Sequence, residues 1–172
     1  MKNTARRTLS SILGILAVLC TVVMFAACGK LGKKTADKVP DAPPASVVDL
    51  AEVFTPEEEE MLAAVVAQFE RSSCGRLFVL TVHTTGDVPI ESYSRQIAND
   101  WKIATERNAG VLLILAIEDR IDRIQVSREW EDVLTGERCA DVLKSIVPEL
   151  RAEQYADACA KAVRAMEVFF PK

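Results

Sequence analysis

The sequence predicts an α/β fold, a three-layer α/β/α sandwich around a small mixed β-sheet. Residues 77–82 and 111–117 are apolar runs rich in branched side chains, the signature of strands covered on both faces. Apolar residues at helical spacing flank both runs. A polar turn at 118–122 is followed by Arg123-Ile124-Gln125-Val126, whose alternation marks a strand nearer an edge.

In order along the chain, Thr55-Pro56-Glu57-Glu58 is a helix start: threonine caps, proline fits the first turn and Glu58 completes a capping box. Met61, Leu62, Val65, Val66 and Phe69 form the buried stripe of that helix, which should end near Ser73 with Gly75 just beyond. The first strand follows at 77–82. Tyr93, Ile97 and Trp101 recur every four residues and predict a helix over about 90–105, and the second strand follows at 111–117. Cys139, Val142, Leu143, Ile146 and Leu150 predict a helix from about Glu137, kinked or stopped early by Pro148. Tyr155, Cys159, Ala162, Val163 and Met166 predict the last. Long helical connections imply parallel pairing of the two major strands, and the short turn implies an antiparallel third.

The N-terminus carries a different pattern. Lys2, Arg6 and Arg7 precede an apolar run over about 9–25, which ends in Phe25-Ala26-Ala27-Cys28-Gly29. This is the layout of a secretory signal, and small residues before a cysteine suit a lipoprotein signal peptidase. On that reading residues 1–27 are removed and Cys28 is diacylated, a palmitate-type anchor in a bacterial membrane. With Gly29 rather than aspartate next, the expected site in a double-membraned cell is the periplasmic side of the outer membrane. A plain cleaved signal and an uncleaved membrane helix are the alternatives, since the run approaches the ~20 residues of a span. All three carry the folded part into the cell envelope or beyond. Residues 28–46 then read as lipidated cysteine and flexible tether, with Lys30, Lys33 and Lys34 near anionic headgroups and Pro40, Pro43 and Pro44 keeping the chain extended. Residues 47–172 form one domain.

Loss of three basic residues with the signal takes the formal charge from −4 to −7. A negative body repels phosphate backbones, so nucleic acid is not an expected partner. Cys74, Cys139 and Cys159 remain besides Cys28. At most one disulfide is available to them, and Cys139 and Cys159 fall on apolar stripes as buried small hydrophobes do.

Several short segments taken in order resemble the TPM-domain family of thylakoid-lumen photosystem II repair proteins and bacterial envelope proteins. They are Val48-Asp49-Leu50 with Phe54-Thr55-Pro56-Glu57-Glu58, then Trp101-Lys102-Ile103, Gly110-Val111-Leu112-Leu113-Ile114, and Asp119-Arg120 with Arg123-Ile124. Glu131, Val133-Leu134, Pro148 and Tyr155 also fall where that family has the same residue types. The resemblance implies a compact α/β/α sandwich. It implies three possible activities: acid phosphatase, as in the thylakoid member; an auxiliary role to a membrane protein, as in a nematode relative; and calcium binding. The chain departs from the family at Ser127-Arg128-Glu129-Trp130, where a glycine-rich segment is usual, and at Asn108-Ala109-Gly110, where an acid is usual.

Hard cations take oxygen ligands, and ligands of open α/β sheets bind beyond the carboxyl ends of strands. Asp119 ends the strongest strand, so the expected cation site is Asp119 with Asp49 or Asn108 as loop partners. The competing reading is a solvated turn with Asp119 and Asp122 paired to Arg120 and Arg123. The stretch from Asp119 is not an EF-hand, having no glycine at its sixth place and Trp130 at its twelfth. His83, the single histidine, reads as a strand-end residue, and Trp101 and Trp130 as packing. No catalytic residue is assigned. The function expected is that of a membrane-anchored envelope lipoprotein, a non-catalytic binding, assembly or repair accessory of a membrane protein. A weak acid phosphatase, with or without a cation's assistance, and a calcium-binding domain are the alternatives.

Overall fold

The computed structural model describes residues 34–106 and 108–170. The leader sequence and Cys28 fall outside them. A four-stranded mixed sheet runs in the order β1 (Val47–Asp49), β2 (Arg76–Val82), β3 (Gly110–Ala116), β4 (Ile121–Val126). β1–β2 and β2–β3 are parallel, and β3–β4 is an antiparallel hairpin. The helices are α1 (Pro56–Ser73), α2 (Ile90–Asp100), α3 (Gly136–Ser145), α4 (Val147–Arg151) and α5 (Tyr155–Glu167).

Strand alternation sorts the side chains into two cores. Leu77, Val79, Val111, Leu113 and Leu115 face α1, α3 and α5, together with Leu62, Val66, Phe69 and Val163. Phe78, Leu80, Val82, Leu112 and Ile114 face α2, against Tyr93, Ile97 and Trp101. The expected three layers are therefore present, with α2 as one layer and α1, α3 and α5 as the other. Both tryptophans are buried, and Trp130 meets Phe69 and Phe170 edge-on or tilted at 5.9 and 4.6 Å between ring centres.

Local rules set the helix ends. Thr55 Oγ accepts from the Glu58 N–H at 3.2 Å and the Thr55 N–H donates to Glu58 Oε2 at 2.8 Å, the reciprocal box read in the sequence. α4 starts at Val147, directly after Ile146, the shared cap that closes α3, with Pro148 in its first turn, so the expected kink is a stop and restart.

α1 ends at Ser73 as expected, capped by Cys74, left-handed at φ 56°. Gly75 just beyond is held to glycine by contact: a Cβ there would lie 2.2 Å from the Trp130 ring and 2.8 Å from the Ala109 carbonyl. Three features differ from expectation. α2 ends at Asp100, because Trp101 caps it and sends its Nε1–H to the Pro40 carbonyl at 2.7 Å. β1, three residues long, pairs with β2 where the sequence offers no strand-length run. Residues 34–46, read as tether, lie against the domain. Ala36 and Val39 pack on the α2-side core, and the Asp37 N–H donates to the Thr84 carbonyl at 3.1 Å.

Candidate functional site

Parallel β1, β2 and β3 all end at one edge of the sheet, and the β3–β4 turn rises there. Asp119 sits in that turn and is gripped from a neighbouring loop. Its carboxylate accepts from the Thr84 hydroxyl at 2.9 and 3.0 Å, from the Thr85 N–H at 2.8 Å and from the Lys34 ammonium at 3.1 Å. Partial burial pushes the Asp119 carboxyl up, but the Thr85 N–H, the Lys34 ammonium and the Thr84 hydroxyl together outweigh it and hold the group below its ordinary value. The hydrogen bond to Asp119 in turn raises the Lys34 ammonium above its own. Lys34 also lies 3.5 Å from Glu118, so this lysine is engaged by the domain itself rather than left for headgroups.

Beside this turn, a groove of about 830 Å³ opens between the β3–β4 hairpin and the α4–α5 corner. Leu115, Ile117, Val147, Leu150 and Tyr155 give it an apolar floor. Lys34, Arg120 and Arg151 supply cations around it, and Glu118, Asp122 and Glu153 supply anions. Arg120 and Glu153 hold left-handed backbones at φ 54° and 58°. Such conformations cost energy in non-glycine residues and concentrate where a site demands them. Arg120 and Arg151 are exposed and have no ion pair with another described residue. Burial pushes the Asp122 carboxyl above its ordinary value. The two guanidiniums can hold an anion, and a carboxyl raised in this way can pass a proton.

Residues 47–168 match the TPM domain. The chain belongs to the TPM domain family. Solved structures of bacterial proteins share its fold. The N-terminal domain of a protein from P. gingivalis aligns with TM-score 0.66 at 23% identity, over 72% of this chain and 80% of that one. The N-terminal domain of the cg2496 protein from Corynebacterium glutamicum aligns with TM-score 0.61 at 15% identity, over 80% and 87%. The BA42 protein from Bizionia argentinensis aligns with TM-score 0.58 at 22% identity, over 70% and 86%. Comparison with curated proteins gives no match.

This TPM domain does not bring Asp119, Asp49 and Asn108 together. Asp49 ends β1, two strand spacings (roughly 10 Å) from β3. Its carboxylate accepts from the Phe54 N–H at 2.8 Å and from the Thr81 hydroxyl, which ties β1 to the loop that enters α1. Asn108 precedes β3 at the opposite edge and closes a turn with Thr105 at 2.8 Å. The donors around Asp119 are an ammonium, an amide and hydroxyls, whereas a cation requires oxygen lone pairs. Among the described residues no group of three or more His, Cys, Asp or Glu side chains is suited to a metal ion. Calcium implied by the family therefore does not fit these three residues as one ligand set.

Other expectations meet their own outcomes. Arg123 pairs with Glu91 at 3.6 Å rather than with Asp119 or Asp122. His83 is an exposed strand-end residue whose N–H donates to Asp37 Oδ2 at 2.6 Å. Cys139 and Cys159 are buried free thiols, pushed up chiefly by burial, and Cys74 is free and exposed. Thr84, Thr85, Arg151 and Glu153 join the candidate site without being singled out by the sequence. The polar step Thr84-Thr85 straight after a buried strand was the available signal, since β2 and β3 end at the same edge.

Proposed function

We propose that this chain is an envelope lipoprotein, anchored in a bacterial membrane through acylated Cys28, whose TPM domain receives a segment of another membrane protein in the groove at the carboxyl edge of its sheet. The observation that carries the reading is the composition of that groove. Its apolar floor is ringed by three cationic and three anionic side chains. A floor of this kind suits the side chains of a peptide, and a ring of both signs suits a segment bearing both charges. The volume is in the range of specific ligand sites, about 300–1,000 Å³. Lys34 stands on the groove's rim and follows Cys28 by six positions. A chain of six residues spans at most about 20 Å, so an anchor at Cys28 keeps the groove near the bilayer.

The test is recovery of the partner from crosslinked membranes with the full-length chain. Arg120→Glu with Arg151→Glu should cut recovery of a specific membrane protein at least about tenfold. Both side chains are exposed, so the thermal midpoint should hold. Unchanged recovery would remove the groove from the function. A Cys28→Ser chain that still sediments with membranes would remove the acyl anchor.

A further inference from the structure

We propose that residues 34–41 are a releasable strap that governs both the leash of the domain and access to the carboxyl edge. The second half of the claim concerns the groove just described, and the leash length rests on the anchor at Cys28; the release itself rests on neither.

The strap is pinned at discrete points. Lys34 bonds Asp119, and the Asp37 N–H donates to the Thr84 carbonyl. Asp37 Oδ2 accepts from the His83 N–H at 2.6 Å, and the Asp37 carbonyl accepts from the Tyr93 hydroxyl at 2.9 Å. The Pro40 carbonyl takes the Trp101 indole N–H. Between these pins little is buried. No residue of 34–46 reaches full burial, and only Ala36 and Val39 pack on a core. A segment held at a few hydrogen bonds, with little apolar burial of its own, opens at lower cost than the sheet beneath it.

The receiving surface is shaped for the strap. Gly86 is left-handed at φ 63°, and a Cβ there would come within 2.5 Å of the Ala36 nitrogen and 2.7 Å of the Lys34 carbonyl. The strap precedes residues 47–168, the part matching the TPM domain.

Release has two consequences. Lys34 leaves the groove rim, and the Asp119 carboxylate loses its ammonium. The free chain between Cys28 and β1 grows from six residues to nineteen, which extends its maximum reach from about 20 Å to about 65 Å. A docked strap therefore holds the domain against the membrane with Asp119 covered. A released strap lets it search outward with Asp119 open.

Hydrogen exchange on the full-length chain in detergent micelles tests the release. Amides of 34–41 should exchange at least tenfold faster than those of β2 and β3. Lys34→Gln and Tyr93→Phe should each speed the strap at least threefold while the sheet is unchanged. Strap amides that exchange only with the sheet, or variants that speed both together, would overturn the proposal. Endoproteinase Asp-N on native membranes reads the leash separately, because residues 28–36 hold no aspartate. Cleavage before Asp37 should accelerate in Lys34→Gln and shed the domain into the supernatant. Faster cleavage of a chain that was already soluble would uphold the strap and refute the anchor.

Discussion

The sequence singles out Asp119 because it follows the most apolar strand. Its partners were not legible. Lys34, Thr84 and Thr85 lie 85, 35 and 34 residues away; the parallel register of β2 and β3 brings the threonines to that edge, and the docked segment at 34–41 brings the lysine. The sign of its pH effect follows from that contact set. A carboxyl held below its ordinary value stabilises the fold above the unfolded pKa and ceases to do so as pH falls through the folded value. Asp119→Asn should therefore melt a few degrees lower than wild type at pH 7. The gap should close as pH drops below the ordinary aspartate value of 3.8. Thermal melts of both chains between pH 7 and pH 2.5 check this, and a gap constant across the range would assign the Asn effect to packing. Gly75 teaches a related lesson. The sequence marks a glycine after a helix as its terminator, but contact with Trp130, 55 positions later in the chain, is what excludes a side chain there.

At the scale of elements, what local chemistry dictates was readable and what tertiary pairing dictates was not. The α1 capping box involves four consecutive residues and appears in the structure as the sequence states it. Thr55→Ala removes the acceptor for the Glu58 N–H and should destabilise the domain by about 1 kcal/mol, measured by urea denaturation. Thr55→Ser should restore most of that loss, and equal losses in both variants would show the cap to be idle. β2 and β3 were legible because burial on both faces writes a continuous apolar run. β1 was not, because three residues carry no periodicity and exist as a strand only through register with Val79, Leu80 and Thr81. The overlong reading of α2 has the same origin. Trp101 keeps the four-residue rhythm, yet its indole is spent on the Pro40 carbonyl of a distant segment.

At the scale of the whole molecule, the three layers leave one edge of the sheet carrying the polar chemistry. The strap, the Asp119 turn and the groove all meet there, while α1, α3 and α5 close one face and α2 the other. The sequence indicated this edge through strand polarity. It did not indicate the groove, which arises where the α4–α5 corner stands off from the β3–β4 hairpin. The proposed function stands or falls on this edge being the face that binds. The most direct measurement is site-specific photo-crosslinking of the full-length chain in native membranes. The probe is placed in the groove at Ile121 or, as a control, on the exposed outer surface of α1 at Ala63. A discrete adduct with one membrane protein is expected from position 121 and none from position 63. Adducts that are the same from both positions, or that arise only from position 63, would contradict it.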